Sequence, residues 1–297
     1  MEPIKSLGGG ATCCALGPPD RLAIGTAHGS VQIFDTVTQL RIVNLYDDEE
    51  NRPILAVGFV DYYLWVHVRN TCILVYRLNN ERRYDLISRH EVEHVGFCRS
   101  IAFDQTRILY AEGDGPSICM SILLDQGAVE EYSRMVEKDT PMCMATSVEG
   151  RLIVGFENGN VSVSRLENRK EADTITLGNT SVFCVATSSK NFAFGLAKPP
   201  IKMFPVDDLQ SPILIEYPPW SEGCSSMAFS PNGKQLLAGF WDGSMRVFSV
   251  AKQSILLHLK FHTATVTQVL WSDVTGEERV VASSNDGRVS VWDFRKK

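Results

Sequence analysis

The chain has 297 residues and a formal net charge of −6, and apolar residues make up 44% of it, enough for a sizeable core. No run of about 20 apolar residues indicates a membrane span. The acidic balance argues against a broad nucleic-acid-binding face, which would need a basic surface.

The cysteines and the first residues bear on the cellular compartment. No two of the eight cysteines are spaced C-x-x-C, and most lie in apolar, strand-like runs. We therefore expect buried free thiols in a reducing compartment, the cytoplasm or the nucleus. The start, MEPIKSLGGG, lacks the charged-then-apolar pattern of a secretory signal.

Seven segments share one pattern, in which a tight turn joins two strand-like runs. In chain order they are GTAHGSVQIF (25–34), HVRNTCILVY (67–76), AEGDGPSICMSI (111–122), GFENGNVSVS (155–164), GLAKPPIKMF (195–204), GFWDGSMRVF (239–248) and SSNDGRVSVW (283–292). The turn glycines Gly243 and Gly287 are 44 residues apart, and the other copies fit a similar period. A period of this size indicates a repeat array rather than two separate domains.

Each repeat contains four short strand-like runs. Period-two alternation and β-branched residues dominate, and no stretch has the apolar stripe of a helix. Four antiparallel strands in about 43 residues are typical of a propeller blade. We therefore predict an all-β, seven-bladed β-propeller formed by residues 1–297 as a single domain. Its blades are expected at residues 11–45, 53–89, 94–136, 141–177, 181–216, 223–261 and 264–294.

The last repeat most fully resembles the WD40 repeat. His262 precedes its first strand, Ser283 or Ser284 lies in the second, Asp286 lies in the turn and Trp292 lies in the third. The resemblance implies that these residues form a buried, hydrogen-bonded relay with a structural role, not a catalytic one. A buried polar relay must be fully paired, because unpaired members cost several kcal/mol.

Only three strands follow His262 before the sequence ends, so the last blade lacks its outer strand. The segment from Glu2 to Leu7 is expected to supply that strand. This pairing would leave no long unpaired edge beside the last blade.

Three stretches resemble one family more specifically. They are VGFCRS (95–100), PMCM with LIVGFENGNVSV (141–144, 152–163), and GFWDGSMRVF with LKFHTATV (239–248, 259–266). They look like the family of guanine-nucleotide-binding protein beta-subunit-like protein 1, also called ASTRA-associated protein. VGFCR is the most specific piece, because it is not part of the general WD40 pattern.

This resemblance implies a scaffold without enzymatic activity or cofactors. Members of the family are thought to work with the Tel–Tti cochaperone complex and AAA+ chaperone machinery, within an ASTRA-type assembly. Their role is the maturation of phosphatidylinositol-3-kinase-like kinases. The expected partners are thus proteins, not nucleic acid or membranes, and the propeller is expected to be a monomer within a larger complex.

Two short motifs suggest other functions. HEVEH (90–94) matches a zinc-peptidase pattern, which requires both histidines on one face of a helix. In an extended chain those residues would lie about 13 Å apart, so we interpret the motif as a polar connection between blades and expect no metal site. WDFR (292–295) matches the WDxR pattern of substrate receptors for cullin-based ubiquitin ligases. Arg295 would then contact the ligase adaptor, although W-D at a strand end is also general in WD40 repeats.

The loop YDDEENRP (46–53) carries four consecutive acidic residues, Asp47, Asp48, Glu49 and Glu50. With acidic residues of later loops they could form an arc that captures a basic partner. The alternative is a set of solvated loops.

Two tryptophans lie in neighbouring predicted loops. Trp220 lies in YPPWSEG and Trp241 in the tight turn FWDG. Because tryptophan dominates interface hot spots, we predict that both contact a partner. In the alternative, Trp220 folds back as a cap and Trp241 is an ordinary turn residue.

In VGFCRS, Cys98 is expected to pack in the inner strand of the third blade. Arg99 would then point to the other side of the strand. There it would line the central channel or pair with a neighbour, and it is a third candidate for partner contact.

Overall fold

The computed structural model describes residues 5–8, 10–18, 20–93, 96–113, 118–134, 139–165, 172–272 and 278–294. Within these ranges the regular secondary structure is β-strand, and no helix in them has the length and apolar character needed to span a bilayer. The chain divides into an N-terminal unit, residues 9–138, and a C-terminal unit, residues 139–297 together with residues 1–8.

The N-terminal unit contains three sheets, each formed by four antiparallel strands in sequence order. The first comprises β2 (Ala11–Gly17), β3 (Arg21–Thr26), β4 (Ser30–Asp35) and β5 (Arg41–Asp47). The second comprises β6 (Ile54–Val60), β7 (Tyr63–Val68), β8 (Cys72–Leu78) and β9 (Tyr84–Glu91). The third comprises β10 (Ile101–Ala102), β11 (Arg107–Glu112), β12 (Ile118–Leu123) and β13 (Val129–Arg134).

The C-terminal unit contains four sheets. Three of them follow sequence order. The fourth sheet of the chain comprises β14 (Pro141–Thr146), β15 (Arg151–Phe156), β16 (Asn160–Arg165) and β17 (Ala172–Thr176), and the fifth comprises β18 (Cys184–Thr187), β19 (Asn191–Gly195), β20 (Ile201–Pro205) and β21 (Ile213–Ile215). The sixth comprises β22 (Cys224–Phe229), β23 (Gln235–Phe240), β24 (Ser244–Ser249) and β25 (Ser254–Lys260). The last sheet has β26 (Val266–Ser272), β27 (Arg279–Ser284), β28 (Arg288–Asp293) and β1 (Lys5–Gly8).

The strand β1 is the fourth strand of the last sheet, although it comes from the start of the chain. It pairs antiparallel with β28, from Lys5 opposite Val291 to Gly8 opposite Arg288. The sequence predicted such a strand over residues 2–7. The structure places it at residues 5–8, and residues 2–4 lie outside the described ranges.

Seven four-stranded antiparallel sheets confirm the prediction of an all-β, seven-bladed β-propeller. Consecutive strands pair through tight turns because the turn chemistry repeats. In the sixth sheet, Gly243 has a φ of +79°, and a Cβ there would lie 2.5 Å from the carbonyl oxygen of His262. Asp242 fixes the same turn, because its carboxylate accepts the Ser244 amide at 2.9 Å. The glycine is therefore required by both conformation and space, and the aspartate is favoured by its hydrogen bond.

The core of each unit lies between neighbouring sheets. In the N-terminal unit, Val31 and Ile33 of the first sheet pack with Val57 and Val66 of the second. In the C-terminal unit, the backbone of Gly155 leaves room for Val182, whose Cγ1 would lie 2.6 Å from an added Cβ. The glycine at the end of the apolar run in β15 thus allows the segment before the fifth sheet to pack closely against the fourth sheet.

Candidate partner-binding surface

Trp220 lies in the loop that leads from the fifth to the sixth sheet, and its side chain is 78% exposed. The loop turns sharply at this point, because the Ser221 amide donates to the carbonyl of Pro218 at 2.9 Å. The indole therefore does not fold back as a cap. It is a large apolar group presented to solvent by an ordered turn.

Hydrogen bonds join the loop of Trp220 to the tight turn of Trp241. The buried Ser221 hydroxyl donates to the Asp242 carboxylate at 2.8 Å. The Trp241 amide donates to the carbonyl of Gly223 at 3.0 Å. The two tryptophans consequently belong to loops that are held together, as the prediction of one surface requires.

Trp241 is less available than Trp220 because it is half-buried. Its ring meets Phe183 edge to face, with centroids 5.0 Å apart and an interplanar angle of 82°. The backbone of Gly223 lies against the indole, so that an added Cβ would lie 2.1 Å from it. Trp241 and Phe183 therefore form a packed pair of aromatic rings, whereas Trp220 projects into solvent from the adjoining loop.

An arginine that the sequence reading missed lies beneath this surface. Arg246 is only 2% exposed; its Nη2 donates to the Ser221 hydroxyl and lies 3.6 Å from the Asp242 carboxylate. The guanidinium also lies over the Phe240 ring, 4.4 Å from the centroid. Burial alone would raise the pKa of Asp242, but hydrogen bonds from Ser244 and Ser221 and the charge of Arg246 lower it. Asp242 is thus an ionised partner for a buried cation.

In the last sheet, a hydrogen-bonded relay of His262, Asp286, Ser290 and Trp292 occupies the place that corresponds to Arg246 and its partners in the sixth sheet. His262 Nδ1 lies 3.1 Å from Asp286, His262 Nε2 lies 2.9 Å from the Ser290 hydroxyl, and the Trp292 indole N–H donates to Ser290 at 2.8 Å. Burial lowers the pKa of His262, although Asp286 opposes part of that shift. A neutral imidazole fits, because it can donate to Asp286 and accept from Ser290.

Ser283, which the sequence reading placed in this relay, bonds elsewhere: its hydroxyl lies 2.8 Å from that of Thr267. Ser290 supplies the hydroxyl between His262 and Trp292. The repeat spacing relates this serine to the buried arginine of the sixth sheet. Arg246 and Ser290 are 44 residues apart, as are the turn residues Asp242 and Asp286. Serine and arginine therefore occupy one position in adjacent sheets.

The acidic loop of the N-terminal unit is not a uniform patch. Asp48 is buried, with its carboxylate 2.8 Å from Arg52 Nη2 and 3.0 Å from the Tyr46 hydroxyl. The hydrogen bond from Arg52 is the largest cause that lowers the pKa of Asp48, to about 2. Asp47 accepts a hydrogen bond from Asn44. Of the four acidic residues, Asp48 is therefore an internal anchor of the loop.

Glu49 and Glu50 are exposed, and Glu50 lies 3.6 Å from Arg52. Asp47 is exposed as well, so the carboxylates of Asp47, Glu49 and Glu50 are all open to a basic partner, and a contact by them stays a prediction. Arg99, the other candidate in this unit, is half-buried, and its Nη2 donates to the carbonyl of Thr12 at 2.9 Å. The side chain therefore links the segment before β10 to the first sheet, and neither Arg99 nor Cys98 lies in the inner strand that the sequence predicted for them, because that strand is only Ile101–Ala102. Cys98 beside it is fully buried.

The HEVEH segment has no helical geometry in its described part. His90 and Glu91 belong to the outer strand β9, and His90 Nε2 lies 2.9 Å from the Ser88 hydroxyl. His94 lies outside the described residues. Across the described ranges, no group of three or more histidine, cysteine or acidic side chains is arranged to hold a metal ion.

Comparison with known proteins agrees with this geometry. The family model described as "WD domain, G-beta repeat" matches residues 213–249 and 253–293. These two stretches of the chain are similar to the WD40 repeat. The matched ranges include the loop of Trp220, the buried Arg246 and the whole relay of the last sheet. WD40 propellers usually serve as interaction scaffolds rather than as enzymes.

Individual relatives extend the similarity beyond these two repeats. The chain is 26% identical over 285 residues to the mouse guanine nucleotide-binding protein subunit beta-like protein 1, covering 90% of this chain and 86% of the relative. A shorter stretch, 25% of this chain, is 37% identical to the mouse peroxisomal targeting signal 2 receptor. Among solved structures, Sqt1 of Saccharomyces cerevisiae is similar, with a TM-score of 0.75, 13% identity and 98% of each chain covered. At that identity the likeness supports the fold alone.

Arg295, the alternative contact to a ubiquitin-ligase adaptor, lies outside the described residues. The WDxR reading therefore stays a prediction. Trp292 and Asp293 before it belong to β28, and Trp292 is buried in the relay. The first two letters of the motif are thus accounted for by the repeat.

Proposed function

We propose that this protein is a non-enzymatic interaction scaffold that contacts its partner through Trp220 and the adjoining turn of Trp241. One observation carries the proposal. Trp220 directly precedes Ser221, as Phe261 directly precedes His262 in the next repeat. Phe261 packs against Trp292 with centroids 6.0 Å apart, whereas Trp220 remains 78% exposed.

An exposed tryptophan, at a position where the next repeat packs its aromatic residue inward, forgoes the stabilisation that burial would give the folded chain. Fully burying a large apolar side chain stabilises a protein by about 1.5–3 kcal/mol. At Trp220 this gain is not realised in the free chain, so it is available to a complex. The loop is already ordered by the Ser221–Asp242 bond of 2.8 Å, which reduces the entropy lost on binding.

The specific partners proposed are the Tel–Tti cochaperone complex, AAA+ chaperone machinery and large phosphatidylinositol-3-kinase-like kinases. Similarity to the beta-like protein 1 along 90% of the chain supports this assignment. So do the stretches VGFCRS and GFWDGSMRVF, which resemble that family. The corresponding location is the cytoplasm or the nucleus.

The test is purification of the tagged protein from its native cells, with identification of the proteins that accompany it. We expect Tel–Tti proteins or a large kinase, and we expect Trp220→Ala to weaken their binding by about 2 kcal/mol, roughly thirty-fold. Tyr62→Ala is the matched control, because Tyr62 is also an exposed aromatic residue, at 63%. Both variants should melt like the wild type.

Two results would contradict the proposal. A cullin adaptor as the dominant partner, lost on Arg295→Ala, would favour the ubiquitin-ligase function instead. Equal retention of partners by the Trp220 and Tyr62 variants would keep a scaffold role but remove Trp220 from its contact surface.

A further inference from the structure

Neighbouring sheets of the C-terminal unit meet at a position that recurs along the chain. The thiol of Cys143 in the fourth sheet lies 3.3 Å from the carbonyl oxygen of Val182, which precedes the fifth. The thiol of Cys184 in the fifth sheet lies 3.4 Å from the carbonyl oxygen of Cys224, which begins the sixth. A cysteine therefore faces a valine at one boundary and a second cysteine at the next.

The two sulfur atoms of the second boundary lie 3.7 Å apart. Both cysteines are free thiols and are buried, Cys184 at 6% exposure and Cys224 at 0%. Gly195 of β19 provides the space, because an added Cβ would lie 2.4 Å from the Cys184 sulfur and 2.9 Å from the Cys224 sulfur. Because Gly195 has no side chain, both sulfur atoms can pack directly against the backbone of β19.

We propose that Cys184 and Cys224 form a latent disulfide site, which hydrogen peroxide oxidises to a covalent link between the fifth and sixth sheets. A disulfide has an S–S bond of about 2.05 Å, so the sulfur atoms must approach from their separation of 3.7 Å. Rotation about the side-chain torsions can supply much of this movement, because both sulfurs lie in the space beside Gly195.

The reaction proceeds in two balanced steps. One thiol attacks the peroxide, the O–O bond breaks, and a sulfenic acid and water form. The second thiol then displaces the sulfenic oxygen as a second water, and the S–S bond forms. The peroxide is reduced by two electrons, which come from the two thiols. Burial raises the pKa of Cys184 well above its usual range, so we expect a slow first step in the folded protein.

The neighbouring sheets supply matched variants. Cys224→Val copies the residue that faces Cys143 at the preceding boundary. Cys184→Ser copies the sixth sheet, where Ser226 pairs with Gly239 as Cys184 pairs with Gly195. Both replacements are therefore residues that this fold already accommodates. Cys143→Ser is the control that leaves the pair intact.

The experiment treats the folded, full-length chain with hydrogen peroxide, alkylates the remaining thiols and maps the peptides without reduction. We expect a linkage between Cys184 and Cys224 with the loss of two hydrogen atoms, in the wild type and in Cys143→Ser. It should be absent from Cys184→Ser and Cys224→Val. The linked protein should melt at a higher temperature than the reduced one and return to the lower value with dithiothreitol.

Other outcomes overturn the proposal. If the folded wild type gives sulfinic acids or no linkage, while the urea-unfolded chain reacts readily, the packing does not form a disulfide site. A linkage that lowers the melting temperature would show that the bond does not fit between the two sheets. A product joining either cysteine to Cys143 would place the site elsewhere.

Discussion

Removal of the Asp242 carboxylate should expose the cost of the cation buried beneath the candidate surface. Arg246 is 2% exposed, and its Nε and Nη1 have no hydrogen-bond partner among the described residues. In Asp242→Ala the guanidinium keeps the Ser221 hydroxyl and the Phe240 ring, but it loses its only nearby carboxylate in the described part of the chain. The free energy of unfolding should therefore fall.

The expected loss follows from the exposure of the pair. Breaking a fully buried ion pair on one side costs about 3–5 kcal/mol. The Asp242 side chain is 33% exposed, and its attraction for Arg246 acts across 3.6 Å and is partly screened by water. We expect a loss of about 2–4 kcal/mol. Replacing both partners, in Asp242→Ala with Arg246→Met, should recover the part of this loss that comes from the unpaired buried charge, but not the part that comes from the hydrogen bonds of Asp242 with Ser244 and Ser221.

Urea unfolding followed by circular dichroism and by tryptophan fluorescence measures these differences. The two probes must give coincident transitions before free energies are compared. Asp242→Ala unfolding at the wild-type midpoint would refute the reasoning. A double variant less stable than the single one would do so too, because it would show that Arg246 stabilises the sheet without its carboxylate.

Three further predictions concern the fold. Deleting the segment that ends with β1 (Lys5–Gly8) should lower the melting temperature, since the last sheet loses the strand paired with β28. Gly155→Ala should destabilise by about 1–3 kcal/mol in urea unfolding, because its Cβ would lie 2.6 Å from a valine of the next sheet, whereas Gly10→Ala meets nothing within 4 Å. Stability should also fall as the pH decreases from about 7 towards 5, because the pKa of His262 is lowered on folding and the unfolded chain binds the proton more readily. Thermal melts across that range measure this slope, and His262→Gln should flatten it.

Each of these predictions has a contrary result. An unchanged melting temperature after the deletion would show that β1 contributes nothing to the last sheet. Equal stability of Gly155→Ala and Gly10→Ala would mean that Val182 moves aside at no measurable cost in the free energy of unfolding. A pH slope that persists in the glutamine variant would assign the effect to other groups, such as His90 and His258, because burial also lowers the pKa of each of these side chains.

The repeat was readable from sequence because its turns require particular residues. Asp242 and Gly243 cap and reverse the chain at one turn, and Asp286 and Gly287 do so 44 residues later, so the spacing revealed the blades. The fourth strand of the last sheet could be predicted because three strands leave an open edge. Its described part, Lys5–Gly8, ends one residue beyond the predicted end, since LGGG gives no period-two pattern to fix the register.

The chemistry of individual side chains was less accessible. Asp48 looked like part of an acidic patch, but Arg52 and Tyr46 enclose it, and no composition rule separates a buried carboxylate from its exposed neighbours. Ser283 and Ser290 are both serines in the last repeat, and only strand register decides which one faces His262. These differences depend on which side of a strand faces the adjacent sheet.

Comparison of adjacent repeats explains why Trp220 can differ from its counterpart. In the last sheet, the small Ser290 leaves space for His262, and Phe261 packs over Trp292. In the sixth sheet, the long Arg246 fills the equivalent space and covers Phe240 itself, and the small Ser221 stands where the histidine would be. One exchange in the buried layer thus accompanies an exposed tryptophan in the loop above it. The same Ser221 that accepts from Arg246 donates to Asp242, so the loop that carries Trp220 is fixed by the groups that replaced the relay.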